Sequence, residues 1–162
     1  MDYKRARYVF HPGYAIRQAL LVDSKAEKGA PNTATLQVSQ TSLRIRQVRA
    51  GRQVDIPGML PPIITLPEST LLTTTVVVKF EYTEADRART LTMMRLACTP
   101  NGFLQERYNP TAADSIWLAG RDAPTLGEDF RVRLDFNRLK QKAAWRVQDI
   151  HLAPERQFEW SE

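Results

Sequence analysis

The stretch TLLTTTVVVKFEYT, residues 70–83, is dense in β-branched residues, and Glu81 and Thr83 alternate there with Phe80 and Tyr82. Side chains that are stiff at χ1 pack well on a pleated surface and poorly along a helix, so this stretch commits the chain to a sheet. The neighbours in that sheet are legible in the same way. YKRARYVF and YAIRQALLVDSK flank the turn signal HPG, RTLTMMRLACT follows the polar connection EADRA, and FRVRLDF alternates from Phe130 to Phe136. WRVQDIHL supplies a last strand. Helices are fewer. Asn32 or Thr33 is placed to cap a short helix through ATLQVSQTSLR, and NRLKQKAA from Asn137 offers a second with a basic face. DIPGMLPPIITLPES carries four prolines and reads as an extended connection. The expected class is α+β, with a mixed, mainly antiparallel sheet and few helices.

A chain of 162 residues suffices for one compact core, and neither repeats nor low-complexity tracts mark a boundary, so residues 1–162 are expected to form a single domain. Apolar residues make up 43% and charged residues 25%, with no apolar run near the ~18 residues of a membrane span and no signal-peptide pattern. A location in the cytoplasm, with no membrane partner, is the expectation. Cys98 is the one cysteine, which excludes an internal disulfide framework, and MMRLAC around it points to a buried, inert thiol. His11 and His151 are too few for a dense metal cluster. The net charge of +5 favours a polyanionic partner. Its basic residues crowd three segments: Lys4 to Arg7, Arg44 to Arg52, and Arg131 to Arg146. Taken singly, each cluster is more simply the solvated face of a strand.

LLVDSK, residues 20–25, raises a sharper question, because a strand built for a core ends on Asp23, Ser24 and Lys25. Residues two apart share a face of a strand, so Asp23 and Lys25 point together and Ser24 points away. If the segments on either side of Pro12 and Gly13 pair as a hairpin symmetric about that dipeptide, Phe10 faces Ala15 and Asp2 faces Asp23, with Cβ atoms about 5 Å apart. Two carboxylates so close repel unless a cation sits between them, and hard oxygen ligands suit magnesium. Lys25 beside them can orient or help deprotonate a water for attack on phosphorus. The competing reading is an ordinary exposed ion pair at a strand end. Among the remaining residues, Trp117 in SIWLAG and Trp145 in AAWRV are expected to fill the core, and Tyr108 in RYNP to be a buried turn residue beside Arg107.

The D…(D/E)-x-K pattern formed by Asp2 with VDSK resembles the signature of the restriction-nuclease fold superfamily. DYKRARY, LLVDSKA, TLQVSQ, ERYNP and RVRLDFNRLKQKAAWRVQDIH resemble, in that order and with similar separations, the SfiI family of type II restriction endonucleases. The resemblance implies a restriction-endonuclease-like core and a Mg²⁺-dependent enzyme of the prokaryotic cytoplasm. Such an enzyme cuts double-stranded DNA at an interrupted GC-rich palindrome of two GGCC halves, working as a dimer or tetramer. It further implies Asp2 and Asp23 as metal ligands, Lys25 as the catalytic lysine, and Arg121, Arg131 and Arg133 as base contacts, with Arg107 a minor DNA-binding candidate. Arg121 stands where the family has lysine, and the two do not read guanine edges identically. The amino-terminal helical region of the family has no counterpart before Asp2, which implies a late start or a truncation. The alternative function is accordingly a non-cleaving DNA-binding remnant or accessory module.

Overall fold

The computed structural model describes residues 6–10, 17–28, 32–85, 88–120, 131–151 and 159–161. In chain order its strands are β1 (Ala6–Phe10), β2 (Gln18–Lys28), β3 (Thr33–Leu36), β4 (Ile45–Arg49), β5 (Arg52–Ile56), β6 (Ile63–Leu66), β7 (Ser69–Ala85) and β8 (Ala88–Thr99). The short helix α1 (Gln105–Tyr108) follows, then β9 (Trp117–Ala119), β10 (Val132–Asp135), α2 (Phe136–Lys142), β11 (Val147–His151) and β12 (Glu159–Ser161).

The β-branched stretch becomes the 17-residue β7, the spine of the main sheet. Leu71, Thr73, Thr75, Val77, Lys79 and Glu81 are buried on one side while the intervening residues from Leu72 to Phe80 are half-buried, as a strand covered on both faces requires. The sheet order is β1-β2-β7-β8-β11-β12, with β6 pairing the start of β7. Its β2–β7 pair is parallel and its other pairs are antiparallel, so the expected mixed, mainly antiparallel sheet is present.

A second sheet, β3-β10-β9, packs over one face of the first: Ala34, Leu36, Trp117, Val132, Leu134 and Phe136 share a single core cluster with Val77, Ala97 and Val147. The β4–β5 hairpin closes through Ala50 and Gly51, both at positive φ (46° and 76°), the backbone of a two-residue turn that matches strand twist. Helix α2 starts where Asp135 caps it, accepting hydrogen bonds from the Asn137 and Arg138 amides, so FRVRLDF ends in a helix turn at Phe136.

Several expectations are corrected. ATLQVSQTSLR forms no α-helix; its first residues are β3 and Val38–Gln40 make one 3₁₀ turn. Thr33, Thr35 and Val38 disfavour a helix, and burial of Ala34 and Leu36 follows strand period. The proline-rich connection contains β6, whose Ile63 to Leu66 pair with the start of β7. WRVQDIHL is followed by a further strand, β12. Trp117 is in the core at 1% exposure, whereas Trp145 is 64% exposed, stacked 4.2 Å from the Arg146 guanidinium. Tyr108 is buried and accepts a hydrogen bond from Arg146 Nε at 2.9 Å. Cys98 lies beside the same arginine, and burial pushes its thiol above the ordinary range, in keeping with an inert role.

Leu134→Ala, which opens a cavity between the two sheets, is expected to cost about 2–5 kcal/mol in denaturant unfolding. Trp145→Ala is expected to cost less than about 1 kcal/mol, since it loses one exposed cation–π contact. The reverse ranking would contradict this placement of the core.

Candidate active site

The face of the main sheet that turns toward the small sheet is apolar at one end and charged at the other. Ala19, Leu21, Asp23 and Lys25 follow one another on it along β2. Asp23 is fully buried, and the Lys25 ammonium stands 2.9 Å from its Oδ2. An exposed ion pair is therefore excluded. Both carboxylate oxygens of Asp23 are buried, and among the described residues neither accepts a hydrogen bond. A carboxylate in that state is costly, because it has given up water without replacement donors. It fits a hard cation, which takes carboxylate oxygens and offsets that cost. Ser24 is exposed on the opposite face.

The proposed partner of Asp23 is corrected in one respect. Across β1–β2, Ala6 faces Asp23 and Phe10 faces Ala19, so the pairing is not the one symmetric about Pro12–Gly13. L-Pro-Gly favours a turn whose twist suits hairpins poorly, and the pairing here is displaced from it by four residues relative to the symmetric register. Asp2 lies outside the described residues, and the residue opposite Asp23 is Ala6. Among the described residues no group of three or more His, Cys, Asp or Glu side chains is placed to hold a metal.

Beyond Asp23 the rungs of the sheet carry a polar layer that sequence reading missed. Lys25 pairs with Lys79 on β7, Lys79 with Arg95 on β8, and Arg95 with Asp149 on β11. Lys79 is fully buried, 3.5 Å from Glu81. Arg95 makes a two-pronged pair with Asp149 and also donates to Asn32 Oδ1. A lysine between Val78 and Phe80 in an otherwise β-branched strand was the available signal.

The arginines nominated for DNA stand on other elements. β10 buries Val132 and Leu134 and turns the half-buried Arg133 the other way, as the alternation predicts, and Arg131, immediately before the strand, is exposed. β10 is the central strand of its sheet, with β3 on one side and β9 on the other. The pairing Arg133 with Thr35 and Leu118 needs no edge, because side chains leave the sheet through its face. Gly120 permits this arrangement: a Cβ there would lie 2.4 Å from the Arg131 carbonyl oxygen. Arg107 is exposed on α1, its guanidinium 5.7 Å from the Tyr108 ring, on neither β2 nor β10. Arg121 and Phe130 lie outside the described residues.

The Arg44 to Arg52 cluster is largely neutralised within the protein. Arg44 and Arg46 hold Asp55, whose carboxyl falls below the usual range chiefly through the Arg44 hydrogen bond, and Arg46 also holds Glu106. Lys142 pairs with Asp114, and Arg138 reaches Asp135 and the Ser115 carbonyl.

The fold is α+β with a restriction-endonuclease-like core. The crystal structure of the restriction endonuclease BglI bound to its DNA recognition sequence matches it with a TM-score of 0.69 over 84% of this chain and 54% of that one, at 20% identity, a likeness of fold alone. The family model for the type II restriction enzyme SfiI matches residues 1–150, and the chain belongs to that family. It is 32% identical over 169 residues to the type II restriction enzyme SfiI of Streptomyces fimbriatus, covering 98% of this chain and 62% of that protein. The crystal structure of tetrameric SfiI bound to cognate DNA matches with a TM-score of 0.78 and 31% identity, over 98% of this chain and 62% of that one. The chain thus spans somewhat under two thirds of the relative it matches.

If Asp23 takes a hard cation, free Ca²⁺ at about 100 times its dissociation constant should stabilise the protein by roughly 2.7 kcal/mol, read as a rise in Tm. Asp23→Asn should lose that rise. An equal Ca²⁺-dependent shift in both proteins would place the cation elsewhere.

Proposed function

We propose that this chain carries the catalytic core of a site-specific type II restriction endonuclease, hydrolysing phosphodiester bonds of double-stranded DNA. The observation that carries the reading is the Asp23–Lys25 pair, a fully buried carboxylate whose oxygens accept no hydrogen bond among the described residues and whose Oδ2 lies 2.9 Å from the Lys25 ammonium. Membership of the SfiI family supports it. The finer points of an interrupted GC-rich palindrome with GGCC halves, Mg²⁺ as cofactor and residence in the prokaryotic cytoplasm rest on the resemblance, and residues 1–162 acting as one domain rests on the length of the chain. Assembly as a dimer or tetramer is supported by the tetrameric state of the SfiI structure.

Asp23 would hold the cation, with Asp2 as the second ligand that the family pattern implies. When bound, a hard divalent ion supplies Lewis-acid chemistry, offsetting charge on the scissile phosphate. The chain's own residues do the rest. Lys25, held at the rim of a buried carboxylate, presents an ammonium to an approaching phosphate oxygen and can pass a proton to or from water beside it. Its side chain is 19% exposed, unlike that of Asp23, which is fully buried. Arg131 and Arg133 stand two residues apart on one face, about 6.6 Å at strand rise, close to two base-pair steps. Each is suited to bidentate contact with guanine O6 and N7, the contact a GGCC half offers. The reading assigns Arg121 the same task on the resemblance alone, and Arg107 a phosphate contact.

The two sets of residues should separate in one pair of assays. Lys25→Ala should abolish cleavage while leaving DNA affinity within a few-fold, because phosphate affinity is spread over many cations. Arg131→Ala and Arg133→Ala should each weaken cognate binding by roughly 1–3 kcal/mol and relax base preference in duplexes selected from a randomised pool. Cleavage retained by the lysine variant would show the site to be misplaced. An unchanged selected motif for both arginine variants would refute base reading by β10.

A further inference from the structure

Lys25 and Lys79 are Cα partners across the parallel β2–β7 pair and project from the same face. Like charges directly opposite one another repel, so the two ammonium groups must be steered apart. The structure does this with carboxylates placed in opposite directions along the strands. Lys25 turns back to Asp23, two residues before it, and Lys79 turns forward to Glu81, two residues after it. Lys79 is further confined by the Phe136 ring, whose centroid lies 5.9 Å from its Nζ. The Arg95 guanidinium stands 5.2 Å from the same ring and is anchored by Asp149. Phe136 and Lys79 are both fully buried.

We propose that Lys79 is a positioning residue for the cleavage lysine: a fixed, buried cation that closes the β7 side to Lys25 and holds its ammonium against Asp23. This rests on the endonuclease reading for its consequence and on the sheet register for its geometry. Stability does not account for the pair, because a buried ion pair is commonly no more stabilising than apolar residues of the same volume. Lys79 is closed off from solvent, so its effect on cleavage runs through Lys25. A misplacement of a reacting group by about 1 Å can cost on the order of a hundredfold in rate.

The test replaces both partners, leaving no orphaned charge: Lys79→Met with Glu81→Leu. The double variant should fold with an unchanged circular dichroism spectrum and a Tm no lower than wild type. It should bind cognate duplex as tightly as the parent in Ca²⁺. Its single-turnover cleavage rate in Mg²⁺ should fall roughly ten- to a hundredfold. Lys79→Arg, which keeps a buried cation beside Glu81, should recover most of that rate. The crystal structure of the double variant should show the Lys25 ammonium withdrawn from Asp23 toward β7. A wild-type cleavage rate in the double variant, or a Lys25–Asp23 contact left at 2.9 Å in its crystal structure, would overturn the proposal. If the parent itself does not cleave, the endonuclease reading fails while the position of Lys25 in the crystal still decides the role of Lys79.

Discussion

The parallel pairing of β2 with β7 is the constraint on which the rest of the molecule depends. It runs without interruption from Gln18 opposite Leu72 to Lys28 opposite Tyr82. Parallel neighbours cannot be joined by a tight turn, so the chain must leave the sheet and return. The excursion holds β3, β4 and β5, and β3 nucleates the second sheet by pairing with β10. One pairing thus fixes Asp23 and Lys25 on the inner face and forces into place the layer that covers that face. The strand bearing Arg131 and Arg133 belongs to that covering layer.

Charge inside this interface is handled by pairing along and across strands. Arg95 is paired with Asp149 and the buried Lys79 with Glu81, so each cation has a carboxylate. Asp23 departs from that rule, since its oxygens have an ammonium nearby but accept no hydrogen bond among the described residues. Proteins tolerate an unsatisfied buried group where chemistry uses it, and offset the cost elsewhere. Here the offset is the apolar layer of Leu36, Val77, Ala97, Trp117, Leu134 and Phe136 between the sheets.

Much of the sheet was legible because its signals are local. The β-branched run of β7, the alternation in Val132 to Leu134 and the Asp-x-Lys step on β2 each follow from side-chain period alone. The helix expected from Asn137 is present, and it starts one residue earlier, at Phe136, because Asp135 caps it, a signal the sequence reading did not use. What failed was long-range or context-dependent. The register of β1 on β2 depends on a loop whose centre no dipeptide marked, and it moved the partner of Asp23 from Asp2 to Ala6. Trp145 was placed in the core by composition, whereas it stacks on Arg146 at the surface, a choice only tertiary packing makes. The row Lys25, Lys79, Arg95 and Asp149 draws on four strands, of which β7 and β8 alone are consecutive in the chain. No local pattern announces such a row.

The central claim is that this chain cuts DNA at defined sites, and sequencing the ends it generates tests that most directly. The purified protein would be incubated with Mg²⁺ and a long duplex of known sequence, and every new 5′ end mapped. The account predicts ends clustered at one interrupted GC-rich palindrome and their disappearance when EDTA replaces the metal. Ends scattered without sequence preference, or no ends at all while the duplex remains bound, would contradict it, and the latter would leave a DNA-binding protein that does not cleave.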